Sequence, residues 1–141
     1  MSEVVSGQCA LTDALRKTGH ENLDFVATGK LPPNPAELVG SSRFKSFISD
    51  VSSRYDLVLI DTPPILAVTD GAVIARHAGV NLLALRSGRH PLREITLAVK
   101  HFVDSGVTVH GAVVNDVSLE GGRFGKAYQY HYEYRPESRE D

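Results

Sequence analysis

Residues 55–64, Tyr-Asp-Leu-Val-Leu-Ile-Asp-Thr-Pro-Pro, constrain this chain more than any other stretch. Leu57, Val58, Leu59 and Ile60 follow one another without polar alternation, which predicts a strand covered on both faces. Thr62-Pro63-Pro64 must end it, because proline donates nothing to a strand ladder. A strand of that kind belongs inside an α/β sheet, and the rest of the chain supplies matching parts. Residues 80–85 and 107–114 read as further strands, and residues 23–27 as a short one.

Helices fill the intervals. Asn34-Pro35-Ala36-Glu37 has the form of a helix start, with an Asn cap, proline at the first helical position and a glutamate reaching back. Phe44, Phe47, Ile48 and Val51 recur at i, i+3, i+4 and i+7, one buried helical face. A short helix is expected over residues 70–77. Another opens at His90-Pro91, turns Leu92, Ile95, Val99, Phe102 and Val103 to one side, and stops at Gly106. Residues 2–17 read as short helical turns. Strands alternating with helices predict an α/β fold with a mostly parallel sheet and flanking helices. Its sites belong at the carboxyl ends of the strands, the places of Gly29, Asp61, Arg86 and Asn115.

Composition narrows the function. With 141 residues the chain is one domain or part of one. A net charge of -2 argues against nucleic-acid binding by bulk charge. The single cysteine, Cys9, excludes an internal disulfide and suits a reducing compartment. No apolar run approaches the roughly 18 residues of a membrane span, and residues 1–10 lack a signal-peptide plan. A soluble, intracellular piece is expected. None of the six histidines makes a metal-type spacing, so they are read as surface or cap residues. Asp70 and Arg76 read as surface charge.

Asp61, at the carboxyl end of a buried strand, stands where nucleotide-hydrolysing folds place the carboxylate that orients hydrated Mg²⁺. The same position also suits an aspartate that only caps a turn. No Gly-x-x-x-x-Gly-Lys-Ser/Thr loop occurs, so the chain carries at most half of a nucleotide site. After Asn115 the pattern changes. Glu120 to Gly125 forms a glycine-rich joint, followed by Tyr128, Tyr130, Tyr132 and Tyr134 at every second position. In an extended segment these rings project to one side, roughly 6.8 Å apart. They suit an edge strand, a tail without a role, or a kinase substrate in which each phosphate adds about -1.5 to -2 charges.

Together these residues resemble the cytoplasmic domain of bacterial tyrosine kinases that serve capsule and exopolysaccharide export. The resemblance runs from about residue 2 to residue 115, plus the tail. It rests on Thr28-Gly29, Pro32-Pro33-Asn34-Pro35-x-Glu37-Leu38, Asp61-Thr62-Pro63-Pro64-Ile65, Val68-Thr69-Asp70 and Gly111-Ala112-Val113-Val114-Asn115. Asp-Thr-Pro alone also matches the wider class of deviant P-loop ATPases, which includes partition ATPases; the tyrosine-rich end suits only the kinases.

The resemblance implies a P-loop NTPase-like fold, incomplete at its N-terminal side, divided into a partial kinase domain over 1–118 and a flexible tail over 119–141. It implies ATP and Mg²⁺ as cofactors of the complete enzyme. Asp61 corresponds to the Walker B aspartate, catalytic and acting on Mg²⁺ through water, and Asn115 to a position near the adenine base. Tyr128, Tyr130, Tyr132 and Tyr134 correspond to an autophosphorylated cluster modified by a neighbouring subunit of a homo-oligomeric ring. Further implied partners are ATP and a membrane polysaccharide co-polymerase or activator segment, with no nucleic acid. The implied location is cytoplasmic, at the inner face of the bacterial inner membrane.

The family's phosphate loop and second aspartate motif are expected upstream of residue 1, which makes this chain a truncated product, a fragment or half of a split arrangement. Alone it is expected to be nearly inactive, and to expose an apolar edge where a central strand is missing. Two other readings stay open: a non-catalytic module docking on a membrane export partner, and a fragment of a partition-type ATPase.

Overall fold

A computed structural model describes residues 1–68 and 70–117. Two short helices, α1 (Ser2–Val5) and α2 (Leu11–Ala14), lead into β1 (Leu15–Lys17) and β2 (Asp24–Val26). These two strands pair antiparallel, Leu15 opposite Val26. The turn between them passes through Asn22 at φ 60, a left-handed conformation that asparagine tolerates. Three features therefore differ from the sequence reading. Residues 15–17 are a strand and not a helical turn, their sheet is antiparallel, and Gly29 follows an antiparallel strand.

The helix start at Asn34 is where the sequence places it. Helix α3 (Pro35–Val39) has Asn34 as its cap and Pro35 as its first residue. The Asn34 amide donates to Glu37 Oε2 at 3.1 Å, so the two polar side chains satisfy each other rather than the backbone. Helix α4 (Ser42–Arg54) opens with Ser41 Oγ accepting the Phe44 N–H at 3.2 Å. Its apolar stripe is the expected one. Phe44 is 0% exposed and Val51 is buried, while Phe47 and Ile48 are half-buried. Phe44 joins Val5, Val39 and Ile74 in the core, with Met1, Leu38, Ile60 and Val73 packed around them.

Helix α5 (Asp70–Ala75) supplies Ile74 to that core. Beyond it, β3 (Leu82–Arg86) and β4 (Gly111–Asn115) pair in parallel, joined by α6 (Leu92–Asp104). This right-sized βαβ unit is the parallel sheet expected from the sequence. Arg76 is more than surface charge: its Nε and Nη2 donate to the Ser105 carbonyl at 3.2 and 3.0 Å, tying α5 to the end of α6.

The segment singled out first departs most from expectation. Residues 57–60 are extended but belong to no ladder, and Leu57 and Leu59 are 75% and 86% exposed. No strand among the described residues pairs with them. Leu82 at the start of β3 is exposed as well, and so are Leu92 and Val103 of the single apolar face expected in α6, where Ala98 is the buried residue. A strand buried on both faces needs neighbours on both sides and helices above and below. Here those layers are incomplete.

Candidate functional site

Ile60 packs against the Phe44 cluster. That anchor holds the end of the extended segment, and Asp61 follows it into solvent as an exposed residue. The turn beyond is pinned by the Ala67 and Val68 N–H groups, which both donate to the Pro64 carbonyl at 2.9 and 3.3 Å. It packs on the first turn of α5 at Gly71. A Cβ built there would lie 3.5 Å from Ile65 Cδ1, 3.7 Å from the Pro63 carbonyl and 3.8 Å from Thr62 Oγ1. All three are ordinary contact distances, so helix and loop meet closely there and a methyl group would still fit.

Asp61 makes no hydrogen bond or ion pair among the described residues. Its oxygens are free to accept hydrogen bonds from water held by Mg²⁺, an ion that keeps most of its own waters and needs few protein ligands. A single solvent-facing carboxylate therefore fits the outer-shell role. No group of three or more His, Cys, Asp or Glu able to enclose a metal occurs among the described residues.

A second polar cluster forms at the carboxyl ends of β3 and β4. Arg86 and Asn115 are register partners there, and the Ser87 N–H donates to the Asn115 carbonyl at 2.9 Å. Arg86 Nε meets Asp116 Oδ2 at 2.8 Å, and the Arg86 backbone N–H donates to His90 Nδ1 at 2.9 Å. Asp116 adopts φ 57, which swings the chain sharply out of the strand. Ala84, Leu85, Arg86, His90, Asn115 and Asp116 surround an open cavity of about 290 Å³. The sequence reading named Arg86 and Asn115 as strand ends. It read His90 only as a helix-opening or cap residue, although its bond to Arg86 spans just four residues, and it gave Asp116 no role, because Asp116 meets Arg86 only through the pairing of β3 with β4.

Gly29, the other expected strand-end position, lies instead against α1. The Ser2 N–H donates to the Thr28 carbonyl at 2.9 Å, and Ser2 Oγ to the Lys30 carbonyl at 2.7 Å. Glu3 Oε1 accepts the Lys30 N–H at 3.1 Å. Hydrogen bonds from its own backbone, from the Lys30 N–H and from the Ser2 hydroxyl hold the Glu3 carboxyl below the usual range.

The fold thus brings Arg86 and Asn115 together and presents Asp61 on a separate segment that pairs with no strand among the described residues. Tyr128, Tyr130, Tyr132 and Tyr134, with the rest of the 119–141 tail, lie outside the described residues. Among the described residues no helix is long and apolar enough to cross a membrane.

No family model matches the chain. It is 39% identical over 139 residues to the tyrosine-protein kinase wzc of Salmonella typhimurium, covering 99% of this chain and 19% of that protein. It is 36% identical over 130 residues to the tyrosine-protein kinase etk of Escherichia coli, covering 92% of this chain and 18% of the relative. Among solved structures, the BceF tyrosine kinase domain superposes with a TM-score of 0.73 at 46% identity, over 80% of this chain and 47% of that one. The kinase domain of the Escherichia coli tyrosine kinase ETK does so with a TM-score of 0.75 at 35% identity, over 83% of this chain and 48% of that one. The chain spans about a fifth of the length of these curated relatives and about half of the solved kinase domains.

Proposed function

Because this chain belongs with the bacterial tyrosine kinases, we propose that it forms the C-terminal part of an ATP-dependent kinase that phosphorylates its own tail tyrosines and regulates capsule or exopolysaccharide polymerisation and export. The observation that carries this reading is Asp61. It is an exposed carboxylate with no partner among the described residues, anchored through Ile60 and held by the Thr62–Pro64 turn against α5.

Asp61 would accept hydrogen bonds from water on Mg²⁺ and so orient the ion, while Asn115, beside the open cavity at the carboxyl ends of β3 and β4, would meet the adenine base. When bound, the ion would supply charge neutralisation during phosphoryl transfer, and Asp61 would be the residue of this chain that holds it through water. The acceptors are Tyr128, Tyr130, Tyr132 and Tyr134, offered by a neighbouring subunit of a homo-oligomer at the inner face of the membrane, beside a polysaccharide co-polymerase segment. Phosphoryl transfer is mostly positioning and electrostatics. The chain has no glycine-rich lysine loop of its own, so it has little activity alone and serves as a substrate for an intact kinase.

Mixing the chain with an intact wzc-type kinase and γ-labelled ATP tests this. Label is expected in Tyr128 to Tyr134, and is lost when all four become phenylalanine. Absence of label in those residues overturns the substrate reading.

A further inference from the structure

Both ends of β3 are closed by an imidazole that accepts a backbone N–H. At the amino end the Asn81 N–H donates to His110 Nδ1 at 3.0 Å, while the His110 N–H donates to the Asn81 carbonyl at 2.8 Å. At the carboxyl end the Arg86 N–H donates to His90 Nδ1 at 2.9 Å, and no other acceptor meets that N–H among the described residues. A ring nitrogen that accepts in this way belongs to a neutral imidazole with its proton on Nε2. The His90 bond also closes a tight turn. The Arg89 N–H donates to the Arg86 carbonyl at 3.2 Å, Gly88 takes φ +68, and His90 folds back onto the residue where the turn began.

Arg86 is the residue on which the rim of the adjoining cavity is built. Asn115 is its register partner, the Ser87 N–H donates to the Asn115 carbonyl, and Arg86 Nε meets Asp116 Oδ2. The side chains of that ion pair are 58% and 62% exposed, too open to water to fix the rim by themselves. The Arg86 backbone is held instead by His90. Only the neutral ring can do this, because a protonated Nδ1 is a donor facing a donor. Histidine is the side chain that changes charge between about pH 5 and 8. The charged groups on the elements that meet at this ring are Arg86 from β3, Asp116 from the end of β4, Arg89 from the turn, and Arg93 and Glu94 from the first turn of α6.

We propose that His90 is a positioning residue for the cavity at the carboxyl ends of β3 and β4. Its neutral ring clamps the end of β3, and through Arg86 it sets Asn115 and Asp116 in place to meet the edge of a purine base. Acidification opens the clamp and loosens all three together. That the ligand is a purine base rests on the kinase reading; the clamp does not.

Heteronuclear NMR of the full chain is the test, with adenosine as the probe of the cavity, since it carries no phosphate that titrates. At about pH 8 the His90 ring should show an unprotonated Nδ1 and the Arg86 amide should be protected from exchange. At about pH 5 that protection, measured against the intrinsic rate at each pH, should fall by roughly tenfold or more. The shifts that adenosine induces at the Asn115 and Asp116 amides should fade with it. His90→Asn supplies an acceptor oxygen that does not titrate, so both readings should be the same at either pH. His90→Ala should lose both throughout, with unchanged circular dichroism because His90 is exposed. An Arg86 amide equally protected at both pH values overturns the proposal, a reading on the unmutated chain that does not depend on how a variant folds. So does a His90→Asn variant that keeps the pH profile of the parent. Adenosine that leaves Asn115 unmoved at about pH 8 counts against the nucleotide reading of the cavity and leaves the clamp standing.

Discussion

The Tyr55 hydroxyl donates to Asp24 Oδ2 at 2.6 Å, fastening the residue just before the apolar segment to the β1–β2 hairpin. Lys17 Nζ meets the same carboxylate at 3.0 Å from the opposite strand. The two partners move each other's titration in opposite senses. The hydrogen bond from Tyr55, then that from Lys17, hold the Asp24 carboxyl below the usual aspartate range. The same bond to Asp24 pushes the Tyr55 phenol above the usual tyrosine value.

The signs give a window open at both ends. Asp24 has a depressed folded value, so its contribution is present above about pH 4, where the unfolded chain's aspartate is ionised, and is lost as the pH falls through the folded value. Tyr55 has a raised folded value, so its contribution is complete below about pH 10 and is lost as the pH rises through the folded value. In an alkaline ultraviolet titration Tyr55 should give a late step, above the usual tyrosine value. Tyr55→Phe should delete that late step and speed amide exchange in residues 15–26. A titration with no late component in the parent chain would refute the coupling.

Gly29 shows how closely α1 sits on the following loop. It holds φ +84, and an added Cβ would overlap the Glu3 carboxylate and come within 2.6 Å of Ser2 Oγ. The left-handed backbone alone costs a non-glycine residue about 1–2 kcal/mol. Gly29→Ala should lower urea stability by at least that much, because the Glu3 and Ser2 contacts to Lys30 must also open. Gly79→Ala is the control. A Cβ there meets nothing within 4 Å, and its midpoint should barely move.

These features were unevenly legible in the amino-acid order. The start of α3 and the buried face of α4 were readable because caps and helical periodicity are local; Asn34, Pro35, Phe44 and Val51 lie where they were expected. Strand β1 was not, since a three-residue strand with Arg16 and Lys17 exposed has no apolar alternation to detect. Residues 57–60 announce a strand through their side chains, but the ladder partner that would make them one is non-local. The site divides in the same way. Asn115 stands at a readable strand end and Asp61 at the end of a readable apolar segment, whereas Asp116 reaches Arg86 only through the pairing of β3 with β4.

Phe44 measures how much one side chain supports this core. Its ring is fully buried, with His77 edge-on at 5.6 Å and Phe47 tilted at 6.2 Å. Phe44→Ala should cost about 3–5 kcal/mol, a large part of the roughly 5–15 kcal/mol that holds a typical domain. Much of the apolar surface of this chain remains exposed, including Leu57, Leu59 and Leu82. The variant should therefore lose cooperative urea unfolding altogether. A cooperative transition retained with a loss under about 1 kcal/mol would mean that the cluster around Phe44 is not the centre of stability.

Asp61→Asn separates support from chemistry. The residue is exposed and makes no hydrogen bond or ion pair among the described residues, so the substitution should shift a urea midpoint of this chain very little. Asparagine keeps the size and one acceptor oxygen but removes the negative charge that, in the proposed kinase, would orient water on Mg²⁺. Groups acting on a metal through an outer shell typically change affinity or activity by about 10–100-fold. The same substitution in a complete kinase should lower tyrosine phosphorylation by that factor, with partial recovery at raised Mg²⁺ because the loss falls on metal affinity. Full activity in the asparagine variant would remove Asp61 from the site and leave it as a residue of the turn after the apolar segment.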